Sequence, residues 1–185
     1  VARLLIEKGL NPVAVAGHSL GEFSAIVSAG VLSFEEALYI VKIRSKEMEN
    51  SGKISSGTMA AIFGADDEQL SKICKQTGIV VPANMNAPGQ VVISGEIDAI
   101  QSAIETAKSI GIRKVIPLKV SGAFHSPLMS PARVPLSNAL NSVNFNDANI
   151  PIYQNVTATS TKDGQQIKYN ILHQLEKPVQ WENII

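Results

Sequence analysis

Gly17-His18-Ser19-Leu20-Gly21 carries the densest chemical signal in this 185-residue chain. It fits G-x-S-x-G and follows a short apolar run, Pro12–Ala16, that reads as a strand. A helix-like stretch follows it, and this strand–turn–helix setting is what a nucleophile elbow requires. The turn is sharp, so small flanking residues are expected at Gly17 and Gly21. Ser19 then sits at a helix N-terminus, where backbone N–H groups and the helix dipole favour developing negative charge. The Leu20 N–H, next after the serine, is the natural oxyanion donor. A glycine-rich turn in which Ser19 merely caps the helix is the bland alternative.

A serine needs a base to become a nucleophile. The chain has three histidines. His18 adjoins Ser19, but strand-end geometry aims it away, so a hydrogen-bonded structural role is expected. His173 lies in a polar helical stretch. His125 follows a strand end, the face where sites gather in parallel α/β sheets. By position alone, base and ordinary loop histidine both remain open for it. Arg44 is the other informative residue. On a helical wheel it shares a stripe with Ala37, Val41 and Met48, opposite Lys42, Lys46 and Glu49. A guanidinium on an apolar stripe is costly without an anionic partner. Glu47 or Glu36 could serve, or a substrate carboxylate held by a bidentate fork.

The elements that must position these residues can be read from the same sequence. Val1–Lys8 is helix-like and Gly9 suits its C-terminal cap. Glu22–Ala29 reads as a buried helix closed by Gly30. Ser33 and Glu36 form a capping box that opens a helix to about Asn50, and Ser51–Gly57 reads as a linker. Strands are expected at 58–63, 79–84, 90–94 and 113–120. Helices are expected at 66–76, with Asp66 as N-cap, and at 96–110. The Asn86-Ala87-Pro88-Gly89 stretch joins two of the strands as a turn. This βαββαβ order is the ferredoxin-like pattern, read as a small subdomain inserted between two parts of a larger α/β fold. Beyond it a helix to about Ser142, a strand at 150–158, a turn at Asp163-Gly164 and a helix at 167–175 are expected.

Composition narrows the function classes. Apolar residues make up 45% of the chain and charged residues 17%, which fits a globular protein with a real core. Formal net charge is zero, so nothing suggests nucleic acid as a partner. No apolar run is long enough to span a membrane, so no membrane partner is expected. The single cysteine, Cys74, allows neither an internal disulfide nor a zinc cluster, and a reducing cytosol is the natural setting. The chain starts inside a helix-like stretch and stops just after Trp181, so a piece of a larger fold is expected.

Several segments in order carry a resemblance. They are Gly17–Glu22, Arg44, Asn86–Gly95, Ala123-Phe124-His125, Asn155–Ala158, then Gln174-Leu175 with Pro178-Val179 and Trp181. Together they resemble the malonyl-CoA:acyl carrier protein transacylases and, more broadly, the acyltransferase domains of fatty-acid and polyketide synthases. The resemblance implies an α/β-hydrolase-like part, residues 1–54 and 122–185, incomplete at both ends, with a ferredoxin-like subdomain at 55–121. It implies Ser19 as nucleophile and His125 as base, the latter oriented by a backbone carbonyl from the region of Gln174. Arg44 matches the arginine that binds the malonyl carboxylate. Phe124 matches a position tied to preference for malonyl over bulkier branched units. A further oxyanion donor comes, in that family, from an N-terminal loop outside these residues. The implied reaction moves malonyl from malonyl-CoA to the phosphopantetheine thiol of acyl carrier protein in the cytoplasm, without metal or redox cofactor. A serine hydrolase using the same elbow, and a carrier-protein docking module, are the rival readings.

Overall fold

The computed structural model describes all 185 residues. It is a mixed α/β structure with two sheets. Helix α1 (Ala2–Glu7) ends at Gly9, which takes a φ of +90°. Strand β1 (Val15–Ala16) leads into α2 (Leu20–Ser28), and Gly30 follows with φ +81°. Helix α3 (Phe34–Ile54) starts on the expected capping box, in which the Ser33 side chain accepts from the Glu36 N–H and Glu36 accepts from the Ser33 N–H.

The next segment runs β2 (Gly57–Phe63), α4 (Asp67–Cys74), β3 (Val80–Ala87), β4 (Gln90–Glu96), α5 (Ile97–Ser109) and β5 (Lys114–Pro117). Its strands form one sheet in the order β3-β4-β2-β5, with every pairing antiparallel. Asp66 caps α4 as expected, accepting from the Gln69 N–H. Ile62, Ile73, Ile93, Ile100 and Ile104 form the centre of its own apolar cluster. A 3₁₀ helix (Pro127–Ala132), α6 (Arg133–Asn141), β6 (Ile152–Tyr153), β7 (Ser160–Thr161), α7 (Gly164–Gln174) and α8 (Trp181–Ile184) complete the chain. The second sheet has the order β1-β6-β7, with β1 and β6 parallel. A separate cluster, including Phe23, Ile26, Ile40, Met129, Leu136, Ile152 and Ile171, packs α2, α3, α6 and α7 against it.

Several expectations need correction, each for a physical reason. The 12–16 strand pairs only over two residues, and Ala16 is exposed, because β6 covers just one edge. Helix α2 is buried on one face only; Leu20 and Val27 look toward a groove shared with α1 and α3. The 51–57 linker is largely the last turn of α3, where Ser51 is fully buried and Gly52 lets the helix touch the backbone at Ser121-Gly122. The expected 113–120 strand covers only Lys114–Pro117, because the chain then turns and the Val120 N–H goes to the Leu118 carbonyl instead of a neighbouring strand. The helix to Ser142 is broken into 3₁₀ and α pieces, with Pro127 at its first turn and Pro131 inside it. The 150–158 strand stops at Tyr153, because Gln154 to Thr159 closes a tight turn with Ala158 at φ +54°. Asp163-Gly164 is no loop turn but a helix start: Asp163 accepts from the Gln165 and Gln166 N–H groups. Finally, a Cβ at Gly17 would overlap the Gly21 carbonyl, whereas one at Gly21 would meet nothing. Only the first glycine is sterically required here.

Candidate active site

Ser19 stands between β1 and α2 with φ +51° and ψ −104°, a backbone state that is strained for any residue but glycine. Surrounding bonds hold it there. Its N–H donates to Asn155 Oδ1 at 2.6 Å, and the Asn155 amide donates to Gly17 O at 2.8 Å. The Leu20 N–H is the first of α2 and has no acceptor within the chain.

Three predicted residues converge on the serine. Ser19 Oγ lies 2.9 Å from His125 Nε2. His125 Nδ1 lies 2.8 Å from the main-chain oxygen of Gln174. A carbonyl only accepts, so Nδ1 carries the proton and Nε2 is free to accept from Ser19. His125 is buried, with φ +57°, and burial lowers its pKa to about 4, against the Gln174 carbonyl that pulls the other way. The imidazole is therefore neutral at ordinary pH, as a base must be. Arg44 Nη2 donates to Ser19 Oγ at 2.9 Å and to Gln174 Oε1 at 3.1 Å. Its burial pulls the guanidinium down to about 10, and Glu22 pulls it back up.

Neither acid considered from sequence pairs with Arg44. Glu36 serves the capping box and Glu47 accepts from Asn50. The acid that acts on Arg44 is Glu22, and Arg44 Nε is buried without a partner. A buried, incompletely bonded guanidinium beside a serine can receive an anion. Phe124 is half-buried and packs between the cluster around Ile26 and Ile40 and a small third cluster of Met59, Ala61, Ala83 and Val92 on the β2–β5 sheet. His18 turns away from Ser19, as expected: its Nε2 lies 2.9 Å from Asn86 Oδ1, and its ring meets Trp181 edge-on. His173 faces the Tyr169 carbonyl, away from the serine.

Sequence reasoning assigned no role to Glu22, Gln154 or Asn170, which with Gln174 form a polar layer beneath these groups. Glu22 is 1% exposed and accepts from Gln154 Nε2 at 2.7 Å and Gln174 Nε2 at 2.6 Å. Asn170 donates to Gln154 Oε1 at 3.1 Å. Burial pushes the Glu22 carboxyl up to about 7, against the pull of these donors and of Arg44. The available signal was a carboxylate set inside the apolar run from Leu20 to Ala29.

The acyl transferase domain family matches residues 1–185. The chain is 43% identical over 98% of its length to the malonyl CoA-acyl carrier protein transacylase of Staphylococcus aureus, and covers 60% of that protein. An acyl carrier protein S-malonyltransferase from Vibrio cholerae superposes with a TM-score of 0.94 at 39% identity. That match covers 99% of this chain and 61% of the other. A malonyl-transacylase solved in complex with its type II polyketide acyl-carrier protein gives 0.94 at 38% identity, over 99% of this chain and 60% of that one. The chain thus spans about three fifths of the relatives it matches.

Proposed function

Because this chain belongs to the acyl transferase domain family, we propose that it forms the serine-bearing part of an enzyme that transfers malonyl from malonyl-CoA to acyl carrier protein. The observation that carries this reading is the position of Ser19 Oγ, within hydrogen-bond reach of both a neutral histidine and a buried guanidinium. A base and a fixed cation on one nucleophile suit an acyl group that ends in a carboxylate.

The reaction is a two-step exchange. His125 Nε2 takes the Ser19 proton as Oγ attacks the thioester carbon. The Leu20 N–H donates to the tetrahedral oxyanion. Collapse expels the CoA thiolate, which takes the proton from His125 and leaves malonyl-serine. The acyl carboxylate pairs with Arg44, taking the unpartnered Nε and the N–H that Ser19 now accepts, while Gln174 Oε1 keeps its bond. The phosphopantetheine thiol then attacks the ester with His125 as base, and Ser19 regains its proton. In this reading Phe124 borders the acyl end and Gln174 orients both His125 and Arg44. Each step uses protein side chains and the Leu20 backbone N–H, with no metal or redox cofactor, and the setting is cytoplasmic. No helix is long and apolar enough to cross a membrane.

The architecture belongs to the same reading. Residues 55–121 form a ferredoxin-like subdomain, supported by the strand order β3-β4-β2-β5 and by an apolar cluster of its own. Residues 1–54 and 122–185 form an α/β-hydrolase-like part, supported by the parallel β1–β6 pair and the elbow between β1 and α2.

The test is intact-mass measurement after mixing the intact protein with malonyl-CoA. A malonyl adduct is expected on the wild type and none on Ser19→Ala. An adduct that survives in the alanine variant removes Ser19 from the reaction. An adduct lost rapidly to water, without carrier protein, favours a hydrolase instead.

A further inference from the structure

Gln174 is a junction. Its main-chain oxygen faces His125 Nδ1 and its side-chain Oε1 accepts from Arg44 Nη2. Its Nε2 donates to Glu22 Oε2 at 2.6 Å and to Ser19 O at 3.1 Å. The orientation of that amide matters. Turned over, it would put its oxygen against a carboxylate and its NH₂ against a guanidinium, two repulsive contacts in a buried site. Glu22 can only accept when ionised, so it admits one orientation alone. Its neighbours agree with an ionised state: Gln154 Nε2, Gln174 Nε2 and the Asn155 N–H all donate to it.

We propose that Glu22 is a positioning residue that acts through the Gln174 amide, locking Arg44 in the pose that selects carboxylate-bearing acyl groups. The inference rests on the malonyl-transfer reading above. Glu22 itself touches no substrate in it. A glutamine at position 22 would keep the size of the side chain but bring an amide that can turn over, leaving only the Arg44 and Ser19 contacts to hold Gln174 in its present orientation. Arg44's acceptor would then be held less firmly, and the carboxylate that offsets its buried charge would be gone.

The same geometry makes the selection depend on pH, since the buried Glu22 carboxyl titrates near 7. The groups that face it are few. Arg44 from α3 is the charged one acting on it; α7 and the turn after β6 supply the neutral amides of Gln174, Gln154 and Asn155. His125 stands across Gln174, and His18 points to Asn86. A substrate carboxylate stays ionised through this range.

The readout is the ratio of kcat/KM for malonyl-CoA to that for acetyl-CoA, in the intact protein, from about pH 5.5 to about pH 8.5 around the usual titration range of such a group. The ratio cancels His125, which serves both substrates. In the wild type it should fall about tenfold as pH drops through 7, the scale of one hydrogen bond to a charged group. In Glu22→Gln it should be low and flat. In an Arg44→Ala background, Glu22→Gln should leave it unchanged. A purely structural Glu22 would slow both substrates alike and leave the ratio at its wild-type value, which overturns the proposal. If the Glu22 variant does not fold, the wild-type profile decides: a flat ratio overturns it. Absence of malonyl-serine in the wild type would instead overturn the malonyl-transfer reading.

Discussion

The two larger apolar clusters sit in regions built on different terms. The β2–β5 region is regular: long antiparallel pairings, two amphipathic helices and an interior of isoleucine and alanine. The region around Ser19 has two-residue strands and a polar layer under its site. All three non-glycine residues with positive φ, Ser19, His125 and Ala158, fall in it. So do nine of the ten buried polar or charged residues, Ser94 being the exception. Burying polar groups and strained backbone costs stability. The regular region carries few such costs, the unpartnered Ser94 hydroxyl and Asn84 amide oxygen being its examples. The difference separates a part built of simple apolar packing from a part that holds costly groups in place, as the proposed transfer would require.

That contrast can be broken by mutation. The largest effect should come from His125→Ala, which is expected to slow acylation by roughly 10²–10⁴-fold, the usual contribution of a positioned base. His18→Ala should act through stability instead, by releasing Asn86 and Trp181. Burst kinetics with malonyl-CoA on both variants will check this. A His18 variant that folds but no longer acylates would exchange the two roles. On the other side, Ile93→Ala removes a fully buried side chain from the β2–β5 region. It should cost about 2–5 kcal/mol in chemical denaturation while leaving kcat/KM of the folded protein near wild type. A matching loss of kcat/KM would mean the two regions are not energetically separable.

Arg44→Ala should sharpen the comparison from within the site. Malonyl transfer should lose on the order of 1.5–3 kcal/mol, the worth of a hydrogen bond to a charged group. Acetyl transfer should hold or rise, because an uncharged acyl group loses no partner. Equal losses for both substrates would reduce Arg44 to a structural residue. The smallest expected effect is on the pH dependence of stability. His125, lowered to about 4 from 6.5, makes the fold less stable as pH falls from 6.5 toward 4, because the unfolded chain binds the proton first. Glu22, raised to about 7 from 4.5, works in the opposite direction: the folded chain holds its proton longer, so stability falls as pH rises from 4.5 to 7. Between 4.5 and 6.5 the two slopes oppose each other. Glu22→Gln should unmask the histidine, so urea midpoints should rise more steeply with pH than in the wild type. An unchanged slope would mean Glu22 does not titrate there.

What could be read from the sequence follows the same division. The βαββαβ order, the Asp66 cap and the Pro88-Gly89 turn were legible because local signals and tertiary structure agree there. Ser19, His125 and Arg44 were legible as residue types in informative places, and the carbonyl of Gln174 through family resemblance. The short β6 and the extra turn of α3 were not. Groups far away in sequence decide them: the Glu22 carboxylate and the Gly17 carbonyl accept from Gln154 and Asn155 and end the strand, while Gly52 packs directly on the backbone at Ser121. Glu22 sat in plain view beside the serine motif, but a carboxylate in an apolar helix says only that partners exist, and all of its hydrogen-bond donors lie more than a hundred residues away.

Helix α3 has a consequence of a different sort. At a rise of about 1.5 Å per residue, its 21 residues make a rod about 30 Å long. Arg44 sits near its middle, and Gly52, about 12 Å further along by the same rise, rests on the backbone just ahead of Phe124 and His125. The cation is thus mounted on the beam and the segment that carries His125 is fastened to it at one joint, backbone against backbone, with no side chain between to flex. Tolerance at that joint fixes the spacing between the two groups. A single methyl inserted there would work as a shim: it would move His125 relative to Arg44 without altering either, detuning the site from outside it.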